Sequence, residues 1–583
     1  MSKSTKRIKE RWTRRKFLTH VGMVGGAAAL YETMVAMNMV HIPNQDAPRP
    51  QLKPNQGKGQ SVLVLGAGIG GLTTAYLLRK ANYKVTVLEA FSHAGGRNWS
   101  ARNGTEIVEE SKKHGRTKQV CKMDEGLYVN LGPGRLPYHH RRVLHYCKEL
   151  GVELQPYIMN TTGNLFQTDK AFDGQPIVYR EIQNDTRGYI AELLAKVINK
   201  GALDEEISYE DQDKLLSLLT SFGSLQVKEN RYGTKKEYIY QGSTRDGCAD
   251  DPDGNPTPNV FYNCQDPKDL ILKSLLDAEF WQDRFYSPME FEWQATLFQP
   301  VGGMDKIVDG LVNGINKLNK KANSSQWLLL NSKVNKVEVQ NNGVKVWYTD
   351  ANGKTQSKTA DFCVSNIPCP ILKDIDNNFA ADFREAVERT TFAPSCKVGW
   401  QANERFWEDN ENEIYGGISW TDDMIEQIWY PSNDFFTEKG TLTGAYIHGD
   451  NATEFGNYSL KKRLDVAKEG GAKMHKEFED DKIVPTEKGI SIAWQHIPHQ
   501  KGAWASWGNN QHDDRDYCRI LLPDRRFYIV GDQASTLPGW QEGAMMSAEH
   551  VVELIAELKE AVIPENVTAP NTLRITQGIR ASY

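Results

Sequence analysis

Residues 61–90 read SVLVLGAGIGGLTTAYLLRKANYKVTVLEA, and the order of residue types in this stretch decides the fold. Ser61–Leu65 is apolar and β-branched, the composition of a strand buried in a parallel sheet. Gly66, Gly68 and Gly71 follow as G-x-G-x-x-G, with Ile69 and Gly70 between them. Leu72 to Lys80 predicts a helix with Leu72, Ala75 and Leu78 on one side. Val85–Leu88 predicts a second strand, which ends in Glu89 and Ala90. Each part has a physical task. Gly66 permits a tight turn, Gly68 lets the backbone approach a pyrophosphate, and Gly71 lets the helix pack on the strand. The helix N-terminus presents open N–H groups and a partial positive charge to phosphates. Glu89 lies about 20 residues past the glycines, where an acid reaches ribose hydroxyls. The stretch predicts a dinucleotide site.

The rest of the chain sets bounds on that site. With 583 residues, 39% of them hydrophobic, the chain is long enough for two or three domains. The net charge is −5 and no basic stripe follows residue 50, so no nucleic-acid partner is expected. The 8 cysteines form no CxxC pair, so no metal site is expected. Cys248 and Cys264 flank a polar loop; a disulfide, if the protein is exported, and two free thiols fit equally well. The acidic run Asp250, Asp251 and Asp253 lacks the spacing of a calcium loop. At the N-terminus, TRRKFL (residues 13–18) precedes the apolar run Val21 to Leu30. This is similar to a twin-arginine export signal of bacteria. It predicts a periplasmic or secreted protein that meets the export machinery; no clear cleavage site follows, so cytoplasmic retention stays open. Pro43 to Gly59 reads as a linker.

Three further stretches carry unusual combinations. In LGPGRLPYHHRR, Arg135 sits between Gly132-Pro133-Gly134 and Leu136-Pro137, so stiff backbone and close-approach glycines surround one guanidinium. HAGGRNWS carries Gly95-Gly96-Arg97. Near the C-terminus, Phe527–Val530 predicts a strand, Gly531-Asp532 follow it, and Val551, Leu554, Ile555 and Leu558 mark one face of a helix.

Together these segments resemble the flavin-dependent L-amino acid oxidases of the flavin monoamine oxidase family, over residues 60–150 and 295–560. The resemblance implies a mixed α/β fold: a Rossmann-like FAD-binding domain of the amine oxidase type, a β-sheet substrate domain and a helical domain. It assigns 1–45 to signal and linker, 57–110, 300–370 and 518–562 to the FAD domain, 111–150 and 371–517 to the substrate domain, and 151–299 to the helical domain. The cofactor implied is FAD, held noncovalently, since Gly531–Gly543 lacks the cysteine that tethers flavin in monoamine oxidases. By the same resemblance Gly66, Gly68, Ile69, Gly70, Gly71, Glu89 and Ala90 hold its nucleotide part. Gly95, Gly96, Arg97, Gly132, Pro133, Gly134 and Arg135 lie near the pyrophosphate and flavin. The main chain at Val334 reaches the adenine, and Trp494 packs on the flavin. Gly531 and Asp532 meet the ribityl chain, and Gly539, Trp540 and Gly543 surround the helix N-terminus aimed at the ring. Gly302 and Gly303 are implied to allow close approach near the flavin.

For the substrate, Arg135 grips the α-carboxylate and Tyr446 contacts it too. Trp540 stands beside the substrate, with the Gly539 carbonyl available to the amino group. Lys397 is the catalytic candidate, holding a water near the flavin. Gly134 replaces a bulkier residue of the venom-type enzymes, which implies a locally wider pocket. None of the histidines is singled out. The implied reaction takes an L-amino acid and dioxygen to a 2-oxo acid, ammonia and hydrogen peroxide, with neutral and aromatic side chains preferred and a homodimer as the assembly. Two related chemistries stay open: a decarboxylating monooxygenase, and an amine or polyamine oxidase, against which Arg135 argues.

Overall fold

The computed structural model describes residue 50 and residues 52–201, 208–229, 236–242, 269–282, 285–321, 326–409, 412–508 and 511–557. The expected export signal, Cys248, Cys264 and the acidic run beside them lie outside the described residues. No helix among the described residues is long and apolar enough to cross a membrane.

Ser61–Leu65 is the middle strand of a five-stranded sheet. Lys84–Leu88 and then Leu328–Leu329 lie on one side of it; Phe362–Ser365 and then Phe527–Ile529 lie on the other, all parallel. The strand has no polar face because both of its faces are covered. Val62 and Val64 pack with Leu72 and Leu78 of the Ile69–Lys80 helix, Ile307 and Leu311 of the Lys306–Lys321 helix, and Val551 and Val552 of the Gln541–Glu557 helix. Leu63 and Leu65 pack the other way, against Val337, Val344 and Val346 of a second sheet and Phe383 and Phe527. That second sheet contains a hairpin: Lys333–Gln340 turns through Asn341-Asn342 into Gly343–Thr349, with Gln340 opposite Gly343.

A seven-stranded sheet forms the other large layer. Its longest strands are the antiparallel Gly440–His448 and Ser395–Ala402, with Ile490–Ala493 beside them at the edge. Segment 151–299, expected to be helical, does supply the helices Tyr179–Asn199 and Tyr209–Phe222. It also adds Leu165–Gln167 and Ile177–Val178 to the seven-stranded sheet. Leu154–Tyr157 and Leu136–Pro137 flank Leu297–Pro300 in a small antiparallel sheet, which anchors the chain directly after Arg135.

Candidate active site

A cavity of about 470 Å³ runs where the two large sheets meet. One wall is built from residues within two positions of the carboxyl ends of parallel strands: Gly66, Glu89, Asn366 and Gly531. Ligand sites of open α/β sheets form at these carboxyl ends. The opposite wall comes from the seven-stranded sheet, through Lys397, Tyr446 and Trp494.

The glycines shape the first wall by close approach. Gly66 has φ +95°, and a Cβ at Gly71 would stand 2.1 Å from the Gly66 carbonyl oxygen, so the helix packs on the turn as expected. A Cβ at Gly68 would stand 2.4 Å from Asn366 Nδ2, and one at Gly70 2.8 Å from Asn366 Oδ1. The space left by these glycines therefore also admits Asn366. The Ile69–Lys80 helix begins with no side-chain cap and no acidic residue in its first turn, so its terminal N–H groups and positive end suit an anion. Glu89 Oε2 accepts the Ala67 N–H at 2.6 Å and Oε1 the Phe91 N–H at 2.9 Å. Burial pushes the Glu89 carboxyl above its usual range, against those hydrogen bonds, which favour the anion.

Further along, both guanidinium amines of Arg97 donate to Asp532, and Arg97 Nη1 also donates to the Ala503 carbonyl at 2.6 Å. Asp532 accepts the Gly539 N–H at 2.8 Å as well, so one carboxylate ties the Gly95-Gly96-Arg97 segment to the loop before the C-terminal helix. Trp494 lines the cavity, and its Nε1 donates to the Leu131 carbonyl at 3.0 Å. Gly132 is bare because a Cβ there would lie 1.9 Å from the Arg97 carbonyl oxygen.

At the far end, Lys397 is 2% exposed and its Nζ donates to the Gly132 carbonyl at 2.5 Å. Its Nζ also lies 4.4 Å from the centroids of both Trp429 and Tyr446. Burial, and then the nearby Arg135 cation, hold its amine well below the usual lysine range. Trp429 and Tyr446 pack edge to face at 4.9 Å. Arg135 shares this cluster: its guanidinium carbon is 4.1 Å from the Trp293 ring centroid and 4.7 Å from that of Trp429, within cation–π range.

Most of the expected cofactor and substrate residues line the cavity: Gly66, Gly68, Ile69, Gly70, Glu89, Ala90, Gly95, Gly96, Arg97, Gly132, Pro133, Val334, Lys397, Tyr446, Trp494, Gly531, Asp532, Gly539 and Trp540. Four do not. Gly71 serves the turn. Gly543 serves the first turn of the C-terminal helix, where a Cβ would stand 2.2 Å from the Leu537 carbonyl oxygen. Gly134 does not widen the cavity: a Cβ there would meet the Trp429 ring at 2.6 Å, so an indole occupies the space. Arg135, 6% exposed, lies in the aromatic cluster beside Lys397 rather than on the cavity wall. Gly302 and Gly303 also lie off the cavity; the Gly302 carbonyl accepts from Arg102, and a Cβ at Gly303 would strike Ser100 Oγ at 2.8 Å.

Sequence reasoning missed Asn366, Asn98 and Gln541, all of which line the cavity. Asn98 donates to the Met304 carbonyl at 2.6 Å and accepts from Gln541 at 2.9 Å. Asn366 carried a usable signal: a polar residue right after the buried strand FCVS, at a carboxyl end. Asn98 and Gln541 had none, because each acts through a partner hundreds of residues away.

The parallel sheet, the glycine turn and the bare-backbone cradle have the form of a nucleotide-cofactor site. Residues 69–556 match the family model of flavin containing amine oxidoreductases, and the chain belongs to that family. It is 24% identical over 505 residues to an L-amino-acid oxidase of Echis ocellatus, covering 84% of this chain and 87% of that protein. It is 24% identical over 515 residues to the flavin-dependent L-tryptophan oxidase RebO of Lentzea aerocolonigenes, covering 85% and 98%. Among solved structures, a putrescine oxidase variant superposes with a TM-score of 0.51 at 14% identity, covering 85% of this chain and 98% of that one. At that identity the likeness speaks for the fold alone.

Proposed function

We propose that the chain is an FAD-dependent L-amino acid oxidase, which converts an L-amino acid, dioxygen and water to a 2-oxo acid, ammonia and hydrogen peroxide. One observation carries this reading. At one end of the cavity an aromatic wall, Tyr446 and Trp540, meets the Lys397 amine, and Arg135 stands just off that wall on the Trp429 ring that both side chains share. A basic, aromatic end suits a carboxylate on an apolar side chain, whereas a plain amine would be repelled by the guanidinium. Relatives named as L-amino-acid oxidases support the same substrate class.

The cradle of bare glycines, the open helix N-terminus and Glu89 fit the pyrophosphate and ribose of FAD. No cysteine is among the residues lining the cavity, which supports noncovalent binding. When bound, the flavin supplies the redox chemistry, accepting a hydride from the substrate α-carbon and passing electrons to dioxygen. The protein does the rest by positioning. Arg135 takes the carboxylate once the Trp293 or Trp429 indole yields, a charge-assisted contact of about 1.5–3 kcal/mol. The Tyr446 hydroxyl gives a second donor, and the Gly539 carbonyl accepts from the amino group. Trp540 confines the substrate and excludes water. Lys397, its amine held well below the usual lysine range by burial and then by the Arg135 charge, positions one water. A preference for neutral and aromatic side chains belongs to this proposal, as do a homodimer and twin-arginine export, which sedimentation and cell fractionation test.

The functional test is a product assay on the flavin-loaded protein with L- and D-amino acids and simple amines. Peroxide, ammonia and 2-oxo acid from L-amino acids alone are the expected result. Amide and carbon dioxide instead, or turnover of amines alone, would overturn it.

A further inference from the structure

Behind Trp540 lies a cluster that the proposed oxidation does not use. His139 and His140 are adjacent in the chain, in the turn between Leu136–Pro137 and the Arg141–Leu150 helix. Because that turn is not helical, both rings converge on Glu292, in the short Phe291–Trp293 helix. His139 Nε2 and His140 Nε2 each lie 3.2 Å from the same oxygen, Glu292 Oε2. The candidate ligand atoms of all three residues lie within 4.8 Å of one another. His140 is 1% exposed and Glu292 6%.

Hydrogen bonding alone leaves this cluster short of partners. Two imidazole nitrogens crowd one carboxylate oxygen, while Glu292 Oε1 is buried with no hydrogen-bond partner among the described residues. Buried polar atoms are seldom left so. A cation accounts for the arrangement directly. Ligand atoms about 2.0–2.1 Å from a tetrahedral zinc ion are about 3.3 Å apart, close to the 3.2 Å seen for both histidine–carboxylate pairs. Two imidazoles and one carboxylate are donors that suit zinc-class ions, and they leave a position for Oε1 or a water. The ion has a way in: His139 stacks at 4.1 Å on Phe291, which is 50% exposed.

We propose that His139, His140 and Glu292 form a binding site for one divalent transition-metal cation of the zinc class. The imidazoles bind as neutral rings through Nε2, with their remaining proton on Nδ1. The ion clamps the turn after Arg135 to the segment carrying Trp293. Its position matters to the cavity: His140 packs edge-on to Trp540 at 4.8 Å, Trp293 lies 5.4 Å from Trp540, and the same Trp293 covers Arg135. The site is therefore a structural clamp on the aromatic wall. It does not depend on which substrate the cavity takes.

The test is equilibrium dialysis of the flavin-loaded protein against zinc, followed by elemental analysis, with Glu292→Gln and His139→Asn alongside. Flavin absorbance reports that each variant is folded. One zinc per wild-type chain is expected, with binding at least ten-fold weaker in each variant and a zinc-dependent rise in melting temperature that only the wild type shows. Zinc absorption spectroscopy of the loaded wild type gives a readout free of any folding defect and should show two imidazole ligands. Equal zinc binding by wild type and both variants would overturn the site, as would no binding at all or a zinc shell without imidazole.

Discussion

Lys397 is the residue at which environment most outweighs intrinsic chemistry. Its strand, Ser395–Ala402, is buried throughout, and burial followed by the Arg135 charge lowers its amine pKa. The sign of the consequence follows from proton counting. Between the depressed native pKa and the ordinary lysine value of about 10.4, the unfolded chain holds a proton that the native chain does not. Stability then rises with pH by at most about 1.4 kcal/mol per unit. Lys397→Met removes this term, so the stability of the wild type minus that of the variant should grow as pH rises from 7 toward 10 in urea titrations. A flat difference would mean that Lys397 is charged in the native state. Gly134 gives a second residue-level prediction. Gly134→Ala pushes a methyl into the Trp429 ring, and overpacking of this kind costs about 1–3 kcal/mol. The smaller, ringless side chain of Trp429→Leu should recover most of that loss in the double variant, and a double-mutant cycle measures the coupling. Strictly additive effects would separate the two residues.

Between elements, the Arg97–Asp532 pair joins the segment after the second strand to the loop before the C-terminal helix. Both partners are largely buried, with side-chain exposures of 24% and 5%. Removing one partner of such a pair strands the other's charge. Asp532→Asn should therefore lower FAD retention at least ten-fold on gel filtration, while Asp532→Glu should retain part of it; full occupancy in Asp532→Asn would dismiss the pair as a cofactor support. This level also shows what the sequence could reveal. The strand–glycine–helix–strand unit was legible because its signals are contiguous: apolar strand, bare turn, amphipathic helix and terminal acid lie within residues 61–90. The Gln541–Glu557 helix was legible for the same reason. Lys397 was legible through the resemblance, which made it the catalytic candidate. The aromatic cluster around Arg135 was illegible. Trp293 and Trp429 come from distant elements, and an isolated tryptophan reads as core. The resemblance implied a wider pocket at Gly134, and only the fold shows that an indole fills that space. His139 and His140 likewise meant nothing until the turn aimed both at Glu292.

At the scale of the molecule, the cavity is a seam. Gly66, Asn366 and Gly531 come from the parallel sheet side and Lys397, Tyr446 and Trp494 from the seven-stranded one, so a ligand filling the cavity would touch both walls. The two sheets keep separate cores, since Val398, Trp400 and Ile447 cluster apart from Val62 and Leu63. A ligand that binds only when both walls are assembled adds its binding free energy to their association. At a free concentration 100 times its dissociation constant this contributes about 2.7 kcal/mol. Removal of the flavin should therefore lower the melting temperature and split a single calorimetric transition into two, with the first reporting separation at the seam. Tryptophan emission should follow that first transition, because Trp494 and Trp540 stand on the cavity wall, and re-addition of FAD should restore one peak. If the flavin-free protein melts in one step at an unchanged temperature, the seam is held by protein contacts alone. The walls would then be preformed for the cofactor, and the energy of flavin binding would go wholly to holding the flavin.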